Sequence, residues 1–84
     1  MNINKNIAIS ETGFVFNPLT GDSFSTNPVG QEILRKLQNG SNREKLANHI
    51  VDLFSVDKGV IEKDINDFLM MLKSYQILIE NDEK

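Results

Sequence analysis

At Asn27-Pro28 the spacing of apolar residues changes, and no other feature of this 84-residue chain constrains its fold as strongly. Before that point apolar and polar residues alternate with a period of two. After it the apolar residues recur at about 3.6, the period of a helix. A chain of this length holds one domain, so both halves must share one core. The expected architecture is α+β, with a three-stranded antiparallel sheet followed by three helices.

The first half, residues 3–26, reads as strand. Ile7 and Ile9 alternate with Ala8 and Ser10, Phe14 and Phe16 flank Val15, and Phe24 lies between Ser23 and Ser25. Ser10-Glu11-Thr12-Gly13 and Asn17-Pro18-Leu19-Thr20-Gly21-Asp22 supply the turns. This pattern predicts a meander whose buried face holds Ile7, Ile9, Phe14, Phe16 and Phe24.

In the second half Asn27 is a good N-cap, and Pro28 suits the first helical position, where no N–H is needed. Val29, Ile33, Leu34 and Leu37 form the first apolar stripe, which Asn39-Gly40 ends. Ser41-Asn42-Arg43-Glu44 has the S-x-x-E form of a capping box, with Ser41 as the cap. Leu46, Ile50, Leu53 and Phe54 form the second stripe. A third helix is expected over about 58–75, capped by Asp57, with Ile61, Ile65, Phe68, Leu72 and Tyr75 on one face. Val60, Asp64 and Met71 lie on a shoulder of that helix, with Asp67 beyond them. Ile77-Leu78-Ile79 is expected to fold back on the core, and the charged residues 81–84 to be mobile.

The chemistry-bearing residues do not assemble into a catalytic set. The chain has no cysteine, which removes disulfides, zinc-thiolate sites and a Cys nucleophile, and suits a cytoplasmic location. His49 is the single histidine and reads as structural, since no partner is spaced for catalysis. Asp64 and Asp67 are three apart on a helix, but no further ligand joins them, so no metal is expected. No phosphate-binding glycine motif occurs, and no cofactor is expected. The chain therefore reads as a non-enzyme.

Two recognition devices remain. One is the free edge of the third strand, Asp22 to Thr26, whose backbone could pair with an added peptide. The other is the Val60/Asp64/Met71 shoulder, where an adaptable thioether lies near an acid. An open edge also permits a homodimer. No apolar run approaches the length of a membrane span. Twelve acids against nine bases give a net charge of −3, which disfavours nucleic acid and anionic membranes as partners. A DNA-reading winged helix is opposed by its own third helix, where Glu62, Asp64 and Asp67 outnumber Lys63 and Lys73.

The run Phe14-Val15-Phe16-Asn17-Pro18-Leu19-Thr20-Gly21-Asp22-Ser23-Phe24-Ser25-Thr26-Asn27-Pro28-Val29-Gly30 resembles the start of small PqqD-like proteins. Ile33 to Ser41 is similar to that family's I-L-x-x-L-x-x-G segment. Phe54-Ser55-Val56-Asp57 and Asp64 to Leu72 resemble its closing pattern. The resemblance runs through roughly residues 7–79 in order. It departs at Ser74-Tyr75-Gln76, where the family usually has Gly. A left-handed Gln76 would cost roughly 1 kcal/mol relative to Gly.

The resemblance implies a winged-helix-like fold and a single recognition domain over 1–84, with its ordered core at about 7–79. It implies a peptide chaperone for ribosomally made, post-translationally modified peptides (a RiPP recognition element). Such a protein captures the leader segment of a precursor by strand addition and presents it to a modifying enzyme, often a radical-SAM enzyme. Carried onto this chain, Ser23, Phe24, Ser25 and Thr26 would line one side of the groove, and Asp64, Asp67, Phe68 and Met71 the other. The alternatives are an adaptor for a protein partner such as a kinase-like enzyme and, with less support, a DNA-binding winged helix.

Overall fold

The computed structural model describes residues 1–79, so the expected mobility of residues 81–84 lies outside the described residues. Among the described residues the elements run β1 (Asn2–Ile3), β2 (Ala8–Ile9), β3 (Phe14–Asn17), β4 (Asp22–Ser25), α1 (Pro28–Gln38), α2 (Arg43–Phe54), α3 (Lys58–Ser74) and β5 (Leu78–Ile79). β2, β3 and β4 form the antiparallel meander, with β4 at an open edge. The three helices follow it, as the change of period at Asn27 predicts. β1 and β5 form a separate antiparallel pair, with Asn2 opposite Ile79 and Ile3 opposite Leu78.

The middle strand faces the other way from the expected one, while Ile7, Ile9 and Phe24 pack against the core as predicted. Phe14 and Phe16 face solvent at 45% and 39% exposure, while Val15 and Asn17 are fully buried. A period of two requires Phe14 and Phe16 to share a face but does not say which face is inside. The pairing decides it. Val15 lies opposite both Ile9 and Phe24, so placing Val15 inward brings all three to the core side. Ala8, Ser23 and Ser25 join the two rings on the outer face.

The helices bury most of the stripes that their spacing predicts, but Leu53 of α2 is 53% exposed and Phe68 of α3 is only half-buried. The buried face of α2 runs through Leu46, Ala47 and Ile50, which leaves Leu53 at its margin. Ile33, Leu34 and Leu37 from α1, Leu46 and Ile50 from α2, and Ile61, Ile65, Leu69 and Leu72 from α3 pack with Ile77 and Leu78 in one core. Asn27 caps α1, its Oδ1 accepting from the Gly30 N–H at 2.8 Å. α2 is capped one residue later than expected. Asn42, not Ser41, accepts from the Lys45 N–H at 2.8 Å. Ser41 is drawn off by the N-terminal residue: its N–H donates to the Met1 carbonyl, and its own carbonyl accepts from the Met1 amine.

Asp57 caps α3 as expected. That helix ends at Ser74, so Tyr75 leaves the buried face and is 40% exposed. Gln76 then takes φ 62, the left-handed conformation for which the family resemblance would place Gly. The turn sends Ile77 and Leu78 back into the core.

Candidate functional site

A cleft of about 380 Å³ opens between the free edge of β4 and the C-terminal half of α3. Asp22, Ser23, Phe24, Ser25, Thr26 and Asn27 form one wall, and Phe68, Met71 and Tyr75 the other. Phe68, Met71 and Tyr75 are spaced three and four residues apart, which puts them along one line of a helix surface. Phe24 comes from the inward face of β4 and meets Tyr75, with ring centroids 6.0 Å apart and planes tilted by 38°. The floor is thus aromatic and thioether. The rim on the sheet side is a strand edge flanked by two serines.

Both walls are held from behind. Asn17 donates from Nδ2 to the Tyr75 carbonyl at 2.9 Å, and its Oδ1 accepts from the Leu19 N–H at 3.0 Å. This side chain ties the β3–β4 turn to the exit of α3. At the other end, Thr26 Oγ1 donates to the Gly13 carbonyl at 2.8 Å, and Gln31 Nε2 donates to the Thr12 carbonyl at 2.8 Å. β4, the turn before β3 and α1 are thereby tied together.

A second, smaller cleft of about 230 Å³ continues from the first, sharing Asn27 and Phe68. Val29, Gly30 and Ile33 of α1 face Ile61, Asp64 and Ile65 of α3 across it. Gly30 keeps the two clefts joined. A Cβ there would lie 3.0 Å from Thr26 Cβ, tight enough to push it, and would come into contact with Phe68 Cζ at 3.4 Å.

The residues singled out from sequence distribute unevenly over this surface. Ser23, Phe24, Ser25, Thr26, Phe68 and Met71 line the larger cleft. Asp64 lines the smaller one. Asp67 lines neither and bonds Lys63 Nζ at 3.1 Å on the exposed surface. Asp22, the start of the strand edge read from sequence, also lines the larger cleft, as do Asn27 and Tyr75, which the sequence did not assign to a groove. For Tyr75 a signal was present, because it continues the Phe68–Met71 line. Its place on the buried face of a helical projection masked that signal.

His49 is remote from both clefts. It bonds Glu32 at 3.0 Å, and Arg35 reaches the same carboxylate at 3.2 Å. The His49 hydrogen bond holds the Glu32 carboxyl below its ordinary range; partial burial opposes this, and the charge of Arg35 adds to it. Among the described residues no group of three His, Cys, Asp or Glu side chains could hold a metal, and no helix is long and apolar enough to cross a membrane.

Residues 12–78 match the family model of coenzyme PQQ synthesis protein D (PqqD). Among solved structures, the chain is similar to TbiB1 in complex with the TbiA(beta) leader peptide. The TM-score is 0.87 at 26% identity, covering 99% of this chain and all of that one. It also shares its fold with lasso peptide synthetase B1 complexed with the leader peptide. There the TM-score is 0.80 at 17% identity, over 94% of this chain and 96% of that one. No curated protein sequence matches.

Proposed function

The chain belongs to the PqqD family, and on that footing we propose that it is a non-catalytic peptide chaperone. It captures the leader segment of a precursor peptide and presents it to a separate modifying enzyme; a radical-SAM enzyme is the partner class the family resemblance implies. One observation carries the reading. An open strand edge stands beside an apolar cleft, in a fold that superimposes over nearly its whole length on a leader-bound relative. A strand edge gives backbone hydrogen bonds to any extended peptide, and the adjoining cleft selects among side chains.

In this reading residues 1–84 act as one recognition domain with its core over about 7–79. The leader lies along Ser23, Phe24, Ser25 and Thr26 and against Phe68 and Met71. Asp64 attracts a basic leader residue, and Asp67, outside both clefts and bonded to Lys63, adds its charge only from a distance. The chain supplies no chemistry of its own; the modifying enzyme does. The proposed setting is the cytoplasm, since a cysteine-free domain needs no oxidising compartment to fold.

The test is a titration with leader peptides taken from short reading frames beside this gene, followed by backbone amide NMR. Shifts should concentrate at residues 22–27 and 60–72. Shifts confined to α1 and α2 would remove the cleft from consideration. A pull-down that recovers an enzyme and never a short peptide would favour an adaptor.

A further inference from the structure

Resting on the peptide-binding reading above, we infer that an added strand can pair with β4 only through the backbones of Ser23 and Ser25. Side-chain selection then falls on alternate residues of the ligand, centred on the one beside Phe24. The hydrogen bonds of the meander establish this phase. The Thr26 N–H donates to the Gly13 carbonyl at 3.0 Å, and Gly13 and Thr26 lie opposite each other in the register that continues from Phe14–Ser25. In an antiparallel ladder, pairs that exchange hydrogen bonds alternate with pairs that do not. Val15–Phe24 and Asn17–Asp22 are therefore the bonded pairs. Phe14–Ser25 and Phe16–Ser23 are not.

The other side of β3 agrees. The Ser10 N–H donates to the Phe14 carbonyl at 2.9 Å, so Phe14 and Phe16 turn their backbones toward β2, away from β4. On β4, Asp22, Phe24 and Thr26 spend their backbone groups on β3. Ser23 and Ser25 aim both N–H and C=O at the open edge. This phase holds whether the added strand runs parallel or antiparallel.

The consequence for the ligand follows from the pleat. Side chains opposite each other in a ladder share a face. A ligand residue opposite Phe24 must point inward, over Phe24 and against Phe68, Met71 and Tyr75. Residues opposite Ser23 and Ser25 must point outward, onto the face that carries Phe14 and Phe16, where nothing encloses them. The chemical class is thus an extended segment with a large apolar residue at the central inward position. Beyond Thr26 the edge ends, because the chain enters α1 at Asn27. A ligand continuing past that point reaches the second cleft, where Asp64 suits a cation on its inward side. The outward residues stay free for the modifying enzyme to read.

The experiment selects peptides from a displayed random dodecamer library against the purified full chain. One enriched peptide is then synthesised for amide exchange by NMR and for an alanine scan. In the free protein the Ser23 and Ser25 amides should exchange freely and those of Phe24 and Thr26 slowly. With peptide bound, Ser23 and Ser25 should slow by about tenfold or more while Phe24 changes little. The alanine scan should lose about tenfold or more in affinity at residues two apart and little at the residue between. Peptides that bind while Ser23 and Ser25 stay unprotected would overturn the inference and leave the peptide-binding reading intact. So would sensitive residues spaced three and four apart, which mark a docked helix. Enrichment of no peptide would overturn both.

Discussion

The carboxamide of Asn17 donates to the backbone carbonyl of Tyr75 across 2.9 Å, joining residues 58 positions apart in the chain. Asn17 is the buried polar side chain among the described residues, and both ends of its amide are bonded. Through it the turn that leads into β4 is fastened to the last residue of the cleft's opposite wall. Together with the Phe24–Tyr75 ring contact, this bond sets the width of the cleft at that end. Replacing Asn17 with Ala should cost about 1–3 kcal/mol, because the Tyr75 carbonyl and the Leu19 N–H lose a buried partner. Urea denaturation reads that cost. Peptide affinity should fall further than the loss of folded fraction explains.

The inverted face of β3 predicts an unusual order of sensitivity. Phe14→Ser and Phe16→Ser, at partly exposed strand positions, should each cost about 1 kcal/mol or less. Val15→Ala, a smaller chemical change, should cost about 2 kcal/mol because it opens a void at a fully buried site. Thermal melts of the three variants check the order. The reverse order would mean that the strand pairs in the other register.

Gln76 holds φ 62 at the exit of α3. Gln76→Gly removes a Cβ penalty and should stabilise the fold by about 0.5–1 kcal/mol, net of the extra freedom that Gly gives the unfolded chain. In a domain of this size that corresponds to a rise in Tm of roughly 2–8 °C. Gln76→Val should lower Tm, since a β-branched residue tolerates this conformation poorly.

The Glu32 carboxyl is held below its ordinary range by His49, with Arg35 adding to the effect. A carboxylate with a lowered folded-state pKa contributes stability that is complete above its unfolded value of about 4.3 and is lost as pH falls through the folded value. Stability should therefore decline on the acid side below about pH 5. Glu32→Gln should flatten that decline. Chemical denaturation repeated from pH 7 to pH 3 makes the comparison.

Gly30→Ala tests how closely the larger cleft depends on Thr26. Ala favours the helix by up to about 1 kcal/mol, but its methyl must displace Thr26 by a few tenths of an ångström. The two effects should nearly cancel in Tm. Thr26 carries the nearer atom and lines the cleft, so its shift should lower peptide affinity by about tenfold. Calorimetric titration beside a melt separates the two.

Much of this fold is legible in the residues because helix signals are local. Asn27-Pro28, Asp57 and the spacing of Ile61, Ile65 and Leu72 each act within a turn or two, and each appears where it points. What is not legible depends on distant partners. The inward face of β3 is set by Ile9 and Phe24, and the cap of α2 shifts because Met1 occupies Ser41. β1 and β5 are two residues each, too short for any periodicity, and form because the chain brings them together. At the candidate site the strand edge and Met71 could be picked out by pattern. Tyr75 continues the Phe68–Met71 line, but its turn out of the buried face depends on where α3 stops and on the bond from Asn17, which spacing does not show.

The pairing of Asn2 with Ile79 brings the two ends of the folded unit side by side. A protein whose ends meet behaves as a cassette: a host chain can enter and leave at one spot, and the core need not open. Spliced with short linkers into a surface loop of an unrelated enzyme, residues 1–79 should fold in place and keep the β4 edge open. The splice would confer on its host whatever selectivity the cleft possesses.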